Sequence, residues 1–441
     1  MLYMGRFCDG CHRSGSTRSG RRICWRFCCR GTHKKEWEMT VKHLRNLALV
    51  AVMLATVAGC GRNSDAKSTA KSSGPKEAPT TVRTSSGDPI KDAEAIVKDG
   101  YTGTVTQPPT SGPKAVKGKK LFVISCFQLL DSCKLPSDSA QAAGKALGWQ
   151  TTLVDGGLDA GKQSDGVKQA ISSHADAIIF AGIDCAPIQA SLQQAKQAGI
   201  KLVGLYSFDC DDKSIGNPGA PLFDYIQRVG ALGSADSAIS YGEIKAAYAI
   251  AKLKGKVVAI NTTSPNHAVL QYVAQGFKQQ LAKCKTCRMA TTVSFTDEDV
   301  LSGKLKDTLV TTLQSYPQTN VIQVAIDPVF QIAVSPALAN KPQIMTLGGE
   351  GVPANMDLIR SGKETMAMAV PHEWAGYLGV DAVNRLLSGA KPSQIPNEGF
   401  GYQIIDKDHN VPPSGPYLPL NMKSRKAVDF KSAYRKVWGV G

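Results

Sequence analysis

From residue 119 onward, short apolar runs alternate with amphipathic helical stretches, and this alternation restricts the fold more than any other feature of the chain. The β-rich runs are 121–125, 150–154, 177–181, 201–206, 256–261, 289–294, 321–325 and 343–347. Helical periodicity fills 137–147, 165–173, 187–198, 239–253, 269–282 and 302–315. Runs such as Leu121-Phe122-Val123-Ile124 are apolar throughout, so the sheets they enter must be covered on both faces. Strands alternating with helices predict an α/β class with parallel sheets. The stretch from 119 to 441 exceeds what one such sheet organises, which predicts two lobes.

The residues ahead of this body divide by composition. Lys42 and Arg45 precede an apolar core at 47–59, and Leu54-Ala55-Thr56-Val57-Ala58-Gly59-Cys60 closes it with two small residues and a thiol. The core is too short to span a bilayer. The arrangement resembles a bacterial lipoprotein signal at 39–59, with Cys60 as the lipidated first residue of the mature protein. Met39 is then the expected start. Residues 1–38, with nine Lys/Arg against three acids and five cysteines, read as a spurious, disordered extension; a zinc knuckle on Cys8, Cys11, His12, Cys28 and Cys29 is the weaker alternative. Residues 60–118 are expected to form a flexible tether with a short helical patch at 89–98, because the Ser/Thr/Lys/Gly/Pro-rich part has too little apolar surface to fold.

Formal net charge is +16, and about half of it belongs to the stretch before Cys60. Much of the rest lies in the tether and in Lys423, Arg425, Lys426, Lys431, Arg435 and Lys436, which suits an anionic envelope surface at least as well as nucleic acid. A nucleic-acid partner would call for a helix-turn-helix head, where this chain has an export signal. Export implies an oxidising compartment, so the six body cysteines are expected as disulfides. Cys126 and Cys133 bracket the loop after the first strand. Cys185 and Cys210 follow strands that would be neighbours in one sheet. Cys284 and Cys287 close a small loop at a helix end, whereas redox pairs sit at helix N-termini. No further zinc ligands stand near them, and neither metal nor cofactor is expected.

Several stretches recur in a familiar order: Ala146-Leu147-Gly148-Trp149, Asp155-Gly156-Gly157-Leu158-Asp159-Ala160-Gly161-Lys162-Gln163, His174-Ala175-Asp176-Ala177-Ile178-Ile179, Ala195-Lys196-Gln197-Ala198-Gly199-Ile200-Lys201-Leu202-Val203, Gly276-Phe277-Lys278-Gln279-Gln280-Leu281 and Ile359-Arg360-Ser361-Gly362-Lys363. Together they resemble the type I periplasmic substrate-binding proteins of ABC importers, the ribose-binding-like group, over 119–399. The resemblance implies two Rossmann-like lobes with parallel sheets, joined by three crossings near 230–235, 370–371 and 398–401. The N-terminal lobe would take 119–233 and 371–397, the C-terminal lobe 234–370 and 398–441. It further implies a monomer without enzymatic activity that holds a small solute between the lobes and hands it to an ABC permease.

Ligands of open parallel sheets bind beyond the carboxyl ends of the strands. The candidate contacts are therefore Phe127, Gln128, Asp184, Tyr206, Asp209, His267, Asp327, Glu350 and His372. Aromatic faces beside carboxylates suit a hydroxylated ring. The resemblance places Asp327 and Glu350 at positions of ligand-binding acids, but Tyr206-Ser207 and Gln271-Tyr272-Val273 stand where sugar binders have Asp-Arg and an arginine. Retained acids without the arginine point to a polyol or an amine-bearing ligand. The expected function is a lipid-anchored receptor on the outer face of the cell membrane for a sugar, polyol or related solute. The alternative is a lipoprotein of the same fold that signals to a membrane sensor. Neither a Gly-x-Ser-x-Gly elbow, a phosphate loop nor His-Glu-x-x-His occurs, which disfavours an enzyme.

Overall fold

The computed structural model describes residues 85–216 and 218–441. The export signal, Cys60, residues 1–38 and the first part of the expected tether lie outside the described residues.

One sheet is built from β1 (Lys120–Ser125), β2 (Gln150–Asp155), β3 (Ala177–Ala181), β4 (Lys201–Leu205) and β5 (Tyr225–Ile226), all parallel, in the order β2-β1-β3-β4-β5. The second holds β6 (Val258–Thr263), β7 (Arg288–Ser294), β8 (Val321–Gln323), β9 (Met345–Leu347), β10 (Met366–Ala369) and β11 (Gln403–Asp406), in the order β11-β10-β9-β8-β6-β7. Its first five strands repeat the order of the first sheet, and β11 adds an antiparallel edge. Strand β3 is buried at all five positions and β1 at five of six, as expected for strands covered on both faces.

The helices are α1 (Pro89–Thr102), α2 (Asp131–Ala146), α3 (Ala160–Ser172), α4 (Gln189–Gln197), α5 (Ser234–Lys252), α6 (Ala268–Leu281), α7 (Asp297–Leu301) and α8 (Lys304–Ser315). After these come the short α9 (Asp327–Val329) and α10 (Ser335–Ala337), then α11 (Pro353–Arg360), α12 (His372–Leu387) and α13 (Phe430–Trp438). Helix α5 packs closely on α6 because two glycines meet there. A Cβ at Gly242 would lie 2.0 Å from the Val273 carbonyl oxygen, and one at Gly276 2.0 Å from that of Ile239. Any side chain at either position would push the helices apart.

Two expectations need correction. Residues 89–118 are not a tether. Asp88 caps α1 by accepting from the Ile90 and Lys91 amides, and α1 buries Ala93 and Val97 against α5 and β11 of the second lobe. The chain then crosses to the first lobe, with the Thr104 and Thr106 amides donating to the Tyr402 and Gly399 carbonyls of the neighbouring crossing. Nor does 398–441 stay with the second lobe. Helix α13 packs on α12, which itself lies against α2 and β4 of the first lobe. There the Trp438 indole donates to Asp381 (2.7 Å) and the Tyr434 hydroxyl to Glu398 (2.7 Å). Two further passes, 103–118 and 407–429, thus flank the three expected crossings. Apolar periodicity in α1 and α13 is short, and a short period does not tell what a helix covers.

Disulfides join Cys126 to Cys133, Cys185 to Cys210 and Cys284 to Cys287, with Cα separations of 5.5, 4.9 and 5.3 Å.

Candidate functional site

The carboxyl ends of both sheets face each other, and the loops that leave them line one cleft. The first lobe contributes Cys126, Leu130, Ser132, Leu158, Asp184 and Tyr206; the second contributes Tyr241, His267, Leu270, Val300, Ile326, Val329 and Glu350. They enclose about 140 Å3 beside the hinge residue Val370. A more open region of about 310 Å3 shares Leu158, Gly182, Asp184, His267 and Asp297 with it and forms its mouth.

Hydrogen bonds cross the cleft from lobe to lobe. Ser132 Oγ donates to Glu350 Oε2 (2.9 Å), and the Ala268 amide at the start of α6 donates to Asp184 Oδ2 (3.2 Å). Tyr272 donates to Asp212 (2.9 Å), and Gln271 to the Ser214 carbonyl (3.0 Å). The lobes are closed on one another.

Charge in the cleft is mostly acidic, and burial opposes it. Burial pushes Asp184 up to about 6, against the amides of Ala268 and Phe208 that favour its ionised form. Burial, then the neighbouring Asp327 charge, pushes Glu350 up to about 7. Behind Glu350 lie Asp327, raised to about 6 by burial, and Glu364, raised well above its usual range by burial and by Asp327. Among them sits the cation Lys245, buried on α5 with Nζ on the Val324 carbonyl (2.7 Å) and lowered by burial to about 8. At the mouth, His267 Nε2 pairs with Asp297 (2.8 Å); burial alone would lower the imidazole, but the Asp297 hydrogen bond and charge raise it.

Of the nine sequence candidates, Asp184, Tyr206, His267 and Glu350 line the cleft. The other five do not. Phe127 and Gln128 turn along the rim of the first lobe, where the Gln128 amide donates to Asp155 (3.0 Å) and Phe127 packs on the lobe core. Asp209 accepts from the Leu222 amide (2.7 Å) and organises the loop between β4 and β5. Asp327 is fully buried, accepting from the Gly349 and Val352 amides (2.9 and 2.7 Å), so it shapes the loop that carries Glu350. His372 is buried beneath Tyr206, their ring centroids 5.5 Å apart, with neither ring nitrogen hydrogen-bonded; burial lowers it to about 4 and keeps it neutral. The residues sequence reasoning passed over are chiefly apolar: Leu130, Leu158, Leu270, Val300, Ile326 and Val329. Their signal was present, as large aliphatic side chains at strand ends and helix starts, where polar residues are the usual choice.

No curated protein matches the chain. Among solved structures, it resembles an ABC transporter solute binding protein from Agrobacterium vitis bound with α-D-tagatopyranose (TM-score 0.58, 20% identity, covering 67% of this chain and 97% of that one). A glucose-galactose binding protein from Geobacillus stearothermophilus aligns similarly (TM-score 0.56, 17% identity, 66% and 99% covered). So does a 5-methylthioribose transporter solute binding protein from Thermotoga lettingae in complex with 5-methylthioribose (TM-score 0.55, 14% identity, 66% and 88% covered). These likenesses concern the fold. The profile of the periplasmic binding protein domain matches residues 133–391, more than half of the chain and spanning both lobes and the cleft between them. With that match added to the paired sheets and the facing strand ends, the chain belongs to the periplasmic binding protein family, whose members bind solutes rather than transform them.

Proposed function

We propose that this protein is an extracytoplasmic receptor that holds a solute of about sugar size between its lobes and presents it to an ABC permease, as a monomer anchored to the outer face of the cell membrane through lipidated Cys60. The observation that carries the reading is the cleft itself: acidic and aromatic groups from both lobes, Asp184, Tyr206, His267 and Glu350, converge on one enclosed space. Two lobes that close on a ligand turn binding energy into a change of shape that a permease can sense. The sugars held by similarly folded proteins favour a small solute. Attachment to the membrane is assigned to the lipid on Cys60; among the described residues no helix is long and apolar enough to cross a membrane.

A panel of sugars, polyols and amines, screened against the full chain by thermal unfolding and calorimetry, tests the receptor reading. A ligand at a hundred times its Kd should stabilise the protein by about 2.7 kcal/mol; no stabilisation by any solute would sink it. The anchor has its own test: Cys60→Ser should move the protein from the detergent phase to the aqueous phase on partition.

A further inference from the structure

The cleft is acidic at one wall and apolar across most of the rest. Leu130 and Leu158 face it from the first lobe, and Leu270, Val300, Ile326 and Val329 from the second. A sugar carries hydroxyls around its whole ring, and each one enclosed without a partner costs the desolvation of a polar group. These six side chains offer no partner. The Cys126–Cys133 disulfide adds another soft, apolar surface to the same wall.

Polar capacity is concentrated near the hinge. Both hydrogen bonds that Glu350 accepts, from Ser132 Oγ and from the Asp327 amide, end on Oε2. Oε1 of the same carboxylate therefore keeps its lone pairs for something else. Asp184 differs, since each of its oxygens already accepts a backbone amide. Asp297 is engaged by His267. Glu350 is thus the acid with accepting capacity to spare, and Tyr206 and Tyr241 line the cavity around it.

Building on the receptor reading, we propose that the cleft selects an amphiphilic cation: a small amine whose ammonium meets Glu350 Oε1 and whose hydrocarbon or aromatic body lies along the aliphatic wall. An ammonium supplies donors and a positive charge to the side where Glu350, Asp327 and Glu364 surround Lys245, and the aromatic rings add cation–π attraction. Burial first, and the Asp327 charge second, raise the affinity of Glu350 for protons in the ligand-free protein.

The test is calorimetry on the full chain at pH 7.5 with phenethylamine and cyclohexylmethylamine as amines, phenethyl alcohol as the neutral counterpart, and D-ribose and D-galactose as sugars. The amines should bind, phenethyl alcohol at least tenfold more weakly, and both sugars more weakly than either amine. Glu350→Gln should cost phenethylamine at least tenfold more affinity than it costs the alcohol, bringing the two close together. Should that variant fail to fold, the natural protein still decides the matter. Between pH 8 and pH 6 the amine should lose about tenfold in affinity as Glu350 protonates, while the alcohol stays constant. The groups facing Glu350 are Asp327, Lys245, Tyr206, Tyr241 and Ser132, and of these only Lys245 and Asp327 titrate near this range. Equal binding of amine and alcohol, or tighter binding of a sugar, would overturn the amphiphile and leave the receptor standing. Absence of heat with all five probes also overturns the amphiphile; the receptor reading falls only if the wider solute panel fails as well.

Discussion

The two lobes repeat one strand order, yet they hold their cleft-facing rims by different means. In the first lobe the loops after β1, β3 and β4 are fixed covalently, by Cys126–Cys133 and Cys185–Cys210. In the second the loops after β8 and β9 are fixed by buried charge, with Asp327 gripping two amides, Glu364 bonded to Asn355, and Lys245 lying among the carboxyls. A covalent rim ignores pH and responds to reductant. A charged rim does the reverse, and it can respond to the charge of a ligand. The Cys284–Cys287 link lies at the far end of α6, away from the cleft, and takes no part in the contrast.

The largest expected effect breaks the covalent side. Cys185→Ser with Cys210→Ser should cost about 3 kcal/mol in denaturant unfolding, since the link closes a 25-residue separation. The same exchange at Cys284 and Cys287, only three residues apart, should cost about half as much. Equal costs would mean that loop closure does not explain how the first rim is held. On the charged side, Asp327→Ala strands the Gly349 and Val352 amides but relieves repulsion on Glu350, for a net loss of about 2 kcal/mol in the same unfolding measurement. Asp327→Asn should lose less, because its side-chain oxygen still accepts.

Much of this contrast was legible in advance, but unevenly. The apolar runs at β1, β3 and β4 announced a sheet covered on both faces, and the cysteines stood at strand ends where pairing was geometrically natural. The cleft was harder. Asp184 and Glu350 follow strands and line it, whereas Asp327 also follows a strand and points away, because it opens a helical turn that aims its carboxylate onto the 349–352 loop. An apolar run marks where a strand ends, not which way the ensuing turn aims a side chain. A cleft expected to be polar also conceals an aliphatic wall. The docking of α1 and α13 stayed invisible for another reason: each short helix buries its apolar residues on a surface assembled from residues far away in the chain.

The pH dependence of the ligand-free protein sharpens the comparison further. Asp184, Asp327 and Glu350 have folded-state values raised to about 6, 6 and 7, so the folded form holds protons that the unfolded chain releases. Their contribution is therefore fully present below about pH 4 and is lost as pH rises through 6 to 7, each tenfold gain in proton affinity on folding being worth on the order of 1 kcal/mol. His372, lowered to about 4, works in the opposite sense below about pH 6.5, but one neutral histidine faces three carboxyls. Tm should then be higher at pH 5.5 than at pH 7.5, and Glu350→Gln should flatten the difference while the double Cys185, Cys210 variant keeps its slope. A Tm that rises across this interval would show that these three carboxyls, Asp184 on the first rim and Asp327 and Glu350 on the second, are not held protonated.

The smallest effect concerns the contact where the two kinds of rim meet. Ser132 lies next to Cys133 on the disulfide-bonded side and donates to Glu350 on the charged side. Ser132→Ala removes one neutral donor to a carboxylate that retains the Asp327 amide, so stability should change by less than about 1 kcal/mol. The sensitive readout is shape. With that bond gone, the ligand-free lobes should open more often, and the radius of gyration from small-angle scattering should rise, more at pH 7.5, where Glu350 is ionised and repelled by Asp327, than at pH 5.5. An unchanged radius at both pH values would assign closure to the other bridges, Asp184 to the Ala268 amide, Asp212 to Tyr272 and Ser214 to Gln271, none of which involves Glu350.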